Sequence, residues 1–138
     1  MRRLFGSAAL LLFLTACSAS TSHFSSFEMG KNEYVTTPTT VFGPTDVFYA
    51  KANASNIAAK ETVTFVLSTV KVTGQKPNAP LRGSIKSYDI DDDSTIKYQI
   101  ALPSSIPRWP AGTYKLTTTM TDGGIQRDQK AIVFTVSR

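Results

Sequence analysis

The chain predicts an all-β fold, an antiparallel β-sandwich of seven or eight strands. Three observations carry that prediction. From Phe24 onward apolar residues alternate with polar ones, the periodicity of a half-buried strand rather than of a helix. Clusters of Gly, Pro, Asn and Asp interrupt the alternation about every ten residues, the spacing of short strands joined by tight turns. Threonine, whose branched Cβ suits a pleated surface, recurs throughout these stretches.

The first element is not part of that sandwich. Met1-Arg2-Arg3 is a positive start, and Leu4–Leu14 is apolar with Leu10, Leu11, Leu12, Phe13 and Leu14 at its centre. Spanning a bilayer takes ~20 residues, so this shorter run reads as the helical core of a secretory signal rather than a membrane span. Leu14-Thr15-Ala16-Cys17 follows directly, and Cys17 is the only cysteine, so no internal disulfide can form. These four residues behind such a signal resemble the lipobox of bacterial lipoproteins. The resemblance implies cleavage between Ala16 and Cys17, diacylglycerol on the Cys17 sulfur and an acyl chain, such as palmitate, on the new amino terminus. The competing reading, a secreted soluble protein with an incidental cysteine, leaves the register of apolar run and thiol unexplained. Two or three acyl chains make desorption negligible, since each buried CH₂ contributes about 0.8 kcal/mol. Ser18, where Asp would favour inner-membrane retention, implies an outer-membrane lipoprotein facing the periplasm in a Gram-negative host.

Residues 1–16 are therefore expected to be a signal peptide, 17–23 a lipidated tether, and 24–138 one sandwich domain. The tether is small and polar (Ser18-Ala19-Ser20-Thr21-Ser22-His23), and His23, the sole histidine, is read as an exposed linker residue. Asp46–Asn53 alternates Phe48, Ala50 and Ala52 against Val47, Tyr49 and Lys51. Ala54–Lys60 reads as a turn or a single helical turn between strands. Glu61–Val72 sets Val63, Phe65 and Leu67 on one face, with Thr62, Thr64 and Val66 on the other. Gly74–Pro80, with its two prolines, is a surface loop. Ser84–Ile90 and Thr95–Leu102 are expected to pair around an acidic turn at Asp91-Asp92-Asp93-Ser94. Thr113–Thr121 alternates Tyr114, Leu116, Thr118 and Met120 against Lys115, Thr117, Thr119 and Thr121, Asp122-Gly123-Gly124 signals a hairpin, and Ala131–Val136 closes the sheet with Ile132, Phe134 and Val136 facing in.

The run Trp109-Pro110-Ala111-Gly112-Thr113-Tyr114-Lys115-Leu116 resembles the start of the penultimate strand of immunoglobulin-like domains. There a small residue precedes a tyrosine by two, a place held here by Gly112, and a core residue follows by two, held by Leu116. The resemblance implies an immunoglobulin-like β-sandwich in which the Tyr114 hydroxyl bonds back to the backbone. Antibody domains put Cys at the place of Leu116 and a core Trp on an earlier strand, so the likeness is to disulfide-free bacterial members. It says nothing of function.

Charge and chemistry narrow the roles. The formal charge is +5; losing Arg2 and Arg3 leaves 13 basic against 10 acidic residues, or +3. The cations are scattered singly, which argues against a nucleic-acid partner. A Ser-His or thiol enzyme is not expected, because the one histidine lies in the expected tether and the lipobox resemblance implies that Cys17 is acylated. Asp89, Asp91 and Asp93 are the candidate calcium ligands; read as an EF-hand loop, Ser94 and Ile100 stand where Gly and Glu are required, so a solvated hairpin turn is the simpler reading. Trp109 is either an exposed aromatic contact or a plug at the end of the core. Glu28, Glu33, Asp46 and Glu61 read as surface or strand-end charges. The expected role is non-enzymatic and free of cofactors other than the covalent lipid: an anchored module binding an envelope protein or taking part in envelope assembly. The alternatives are a carboxylate-based envelope glycan hydrolase and a calcium-dependent ligand binder.

Overall fold

The structure is a computed structural model and describes residues 21–138; Ala16, Cys17 and the whole signal segment lie outside the described residues. Eight strands run β1 (His23–Gly30), β2 (Val41–Phe42), β3 (Phe48–Ser55), β4 (Glu61–Val72), β5 (Lys86–Ile90), β6 (Ser94–Ile100), β7 (Gly112–Asp122) and β8 (Ile125–Val136), with no helix among the described residues. They form two sheets, β1-β3-β6 and β2-β8-β7-β4-β5, all antiparallel except that β2 runs parallel to β8. The inward residues of both make one core.

The alternation of two decides which face is buried. Phe48, Ala50, Ala52 and Ala54 line the inner face of β3, and Val63, Phe65 and Leu67 that of β4. The alanines leave depth for the aromatics opposite, and Phe65 fills it by stacking on Tyr98 at 5.0 Å. Tyr114, Leu116, Thr118 and Met120 all point inward from β7. Gly123 and Gly124, both at positive φ, make the two-residue turn whose twist matches the flanking strands.

Three expectations are corrected. The Lys86–Ile90 and Ser94–Ile100 strands do not pair: β5 pairs with β4, β6 pairs with β3, and Asp91–Asp93 is a crossover from one sheet to the other. Alternation marks a strand but not its neighbour, and turn chemistry is the same for a hairpin and a crossover. The closing strand begins at Ile125 rather than Ala131. Its first half, Gln126–Lys130, lies beyond the core, so pairing with β7 continues there without an apolar face to betray it. His23 belongs to β1 and Ser22 is buried, so the globular body starts before the expected tether ends.

The strand directions define two ends. At the root lie the start of β1, loop 56–60, the Asp91–Asp93 crossover and the Gly123-Gly124 hairpin, tied by the Phe24 amide donating to Asp128 and the Ile57 amide donating to Asp93. At the tip lie loops 43–47, 73–85 and 101–111.

Candidate functional site

The tip is organised around Trp109. Its indole is 4% exposed, stacks on Phe48 at 4.6 Å, and donates its Nε1–H to the Asp46 carbonyl at 2.8 Å. The Trp109 amide donates to the Pro44 carbonyl at 2.7 Å. The partner loop, Gly43-Pro44-Thr45-Asp46, is a turn with proline at its second place, where a fixed φ is preset. The Asp46 carboxylate closes it by accepting from the Gly43 amide at 2.6 Å; this bond and Lys31 at 3.3 Å hold the carboxyl below its usual range against the opposing effect of burial. Trp109 is thus a wall of the core, not an exposed contact. The corner continues into β7, where the Tyr114 hydroxyl donates to the Pro110 carbonyl at 2.6 Å. Over this corner lies an apolar cleft of about 180 Å³, walled by Leu81, Ile100, Ile106, Trp109 and Tyr114 and bordered by Arg82.

The acidic turn disperses its carboxylates. Asp89 accepts from the Thr62 hydroxyl at 3.0 Å and pairs with Lys60 at 3.4 Å, which together lower its pKa. Asp93 accepts from the Ile57 amide at 2.9 Å and Asp92 from the Ser94 hydroxyl. Asp91 stands exposed between them. Among the described residues no three His, Cys, Asp or Glu side chains gather in a way that would hold a metal. The chemistry of this cluster is that of turn closure.

The four acids considered for glycoside cleavage are likewise separated. Glu33 pairs with Lys97, Asp46 caps its turn at the tip, and Glu28 faces Lys51 across the β1–β3 ladder. Glu61 differs from its expected place as a surface charge: it sits at a strand end, but is only 4% exposed. Its Oε1 accepts from the buried Ser22 hydroxyl at 2.5 Å, and its Oε2 has no hydrogen-bond partner. A cavity of about 180 Å³ at the root is lined by Ser22, Asn56, Glu61, Asp122 and Arg127, with Arg127 bound to Asp122 at 3.1 Å. Sequence reading missed this pair because Ser22 looks like linker and Glu61 like a polar strand start; no local pattern ties residues 39 apart. Ser22→Ala is expected to lower unfolding free energy by about 1–3 kcal/mol, since it strands a buried carboxylate. Glu61→Leu on the same background should recover most of that loss in a urea titration.

Two phenols give the domain an alkaline limit. Burial pushes Tyr114 up to about 12, and burial with the nearby Tyr88 phenol pushes Tyr98, whose hydroxyl donates to Ser84 O, beyond the ordinary tyrosine range. In the unfolded chain both ionise near ~10. Raised folded values mean the stabilisation is complete below that pH and is lost as pH climbs through the folded values. Urea midpoints should therefore fall steeply above pH ~10, and more shallowly in Tyr98→Phe.

No family model matches the chain, and no curated protein sequence is similar to it. Solved structures share its fold. A Pseudomonas fluorescens alkylpurine DNA glycosylase, AlkC, bound to DNA with an abasic site analog, matches at TM-score 0.55 and 10% identity over 86% of this chain and 31% of that one. A Listeria innocua β-glucosidase in complex with glucose matches at 0.52 and 11%, over 82% of this chain and 16% of that one. A Bacteroides uniformis β-glucuronidase matches at 0.52 and 12%, over 82% and 14%. The chain spans under a third of each of these proteins, and at such identities the likeness concerns the fold alone.

Proposed function

We propose that this chain is a lipid-anchored outer-membrane lipoprotein whose immunoglobulin-like domain serves as a non-enzymatic module of the envelope, presenting its surface to an envelope partner. The observation that carries the reading is Leu14-Thr15-Ala16-Cys17 at the end of an apolar signal, followed after a few polar residues by a self-contained sandwich. The immunoglobulin-like assignment is supported by strand order. The first strand is divided between the sheets as β1 and β2, with β1-β3-β6 facing β2-β8-β7-β4-β5. The Tyr114–Pro110 bond at the start of the penultimate strand supports it further. A binding role fits acids spent on turns and pairs, and free edges at β5 and β6 that can accept an added strand.

Cys17→Ser tests the anchor. The variant is expected to keep its signal uncleaved, to take up no labelled palmitate and to lose envelope retention after cell lysis. Cleavage after Ala16 in that variant, or a bare thiol by mass spectrometry of the native protein, refutes the reading. Photo-crosslinking from β5 and β6 in intact cells should then recover a defined envelope protein.

A further inference from the structure

We infer that the tip of the sandwich docks onto the carboxylate-bearing, methyl-rich glycopeptide mesh of the cell wall. This rests on the proposed anchor, which fixes the root toward the membrane. Charge is polarised along the strands. At the root, Asp89, Asp91–Asp93, Asp122, Asp128 and Glu61 outnumber Lys60, Arg127 and Lys130. At the tip the two long loops, 73–85 and 101–111, hold Lys76, Arg82 and Arg108 and no acid. Together with Lys71 and Arg138 these cations are exposed, and none forms an ion pair among the described residues. The carboxylate that the third tip loop, 43–47, does carry, Asp46, is already held by Lys31.

With the root tethered, the basic tip is the end of the domain away from the anchor. Strands β4 and β8 have 12 residues each; at ~3.4 Å per residue they lift the tip about 40 Å above the root. The tip is more than a cloud of charge. The apolar cleft beside Trp109 carries Arg82 at its border, and a depression of about 510 Å³ is flanked by Lys71 and Arg138. A cleft of about 180 Å³ is too small for a whole ligand, but it accepts acetamido, lactyl or alanyl methyl groups with a carboxylate close by. An anionic headgroup such as phosphatidylglycerol presents hydroxyls rather than methyl groups beside its phosphate, which favours the glycopeptide.

The test is co-sedimentation of the full processed protein, in mild detergent, with purified peptidoglycan sacculi. Wild type is expected to pellet with sacculi and to be released by salt. Lys76→Gln/Arg82→Gln/Arg108→Gln should bind about tenfold more weakly with an unchanged melting curve, while Lys60→Gln/Arg127→Gln/Lys130→Gln binds like wild type. Equal binding by the tip variant, no pelleting of wild type, or capture by phosphatidylglycerol vesicles without capture by sacculi overturns the inference. Lipidated Cys17 without sacculus binding would fail this inference alone; a bare thiol with intact sacculus binding would fail the anchor alone.

Discussion

Gly112→Ala is expected to cost roughly 3–5 kcal/mol and to lower the melting temperature by about 10–20 °C. Gly112 has φ +149°, a conformation L side chains rarely adopt, and a Cβ there would lie 2.8 Å from the Val72 Cα and closer still to the Lys71 carbonyl. Both are backbone atoms of β4, paired to β7 at this point, so no side chain can swing aside. Relief requires prising β7 from β4 where the Tyr114–Pro110 corner is anchored. Gly123→Ala is the control. It also has positive φ, +55°, but nothing lies within 4 Å of the added methyl. Only the conformational term remains, about 1 kcal/mol. Thermal unfolding followed by circular dichroism separates the two; equal shifts would mean that contact with β4 contributes nothing.

The contrast also shows what a sequence can and cannot disclose. Gly123 and Gly124 were legible, because Asp-Gly-Gly between alternating runs is a local signal whose cause, positive φ, acts within two residues. The small residue two before Tyr114 was legible only through resemblance, since its constraint comes from Lys71 and Val72 on another strand. The same division runs through the fold. The two faces of β3, β4 and β7 followed from alternation, because burial acts on each strand's own period. The partners of β5 and β6 did not follow, because pairing depends on which edge is free in the folded sheet. β2, two residues long, has no period to read.

Site residues divide in the same way. The composition of the Asp91–Asp93 run was plain, but the bonds from Ile57 and Ser94 that occupy its oxygens depend on loops folded beside it. The charge polarity of the molecule was hidden for a different reason. Lys71, Lys76, Arg82 and Arg108 are spread over 38 positions of the sequence and look scattered. Antiparallel strands bring every second connection to the same end, and this gathers them at the tip.

Phe48→Ala is expected to destabilise the domain by about 3–5 kcal/mol and to loosen the tip in particular. Phe48 is fully buried; it stacks on Trp109 and meets Phe42 and Phe134 edge-on, each at 5.0 Å. Removing its ring deletes a shared partner of both sheets and opens a cavity that neighbouring rings can fill only by leaving their rotamers. Trp109→Ala should cost about as much, because it breaks the same stack and removes the indole N–H from the Asp46 carbonyl. As the two residues remove one shared contact, the double variant should fall short of the summed losses by about 0.5–3 kcal/mol. Urea titration of the four proteins measures that coupling. Strict additivity would mean that the Phe48–Trp109 stack does not hold loops 43–47 and 101–111 together, and that the corner rests on its hydrogen bonds alone.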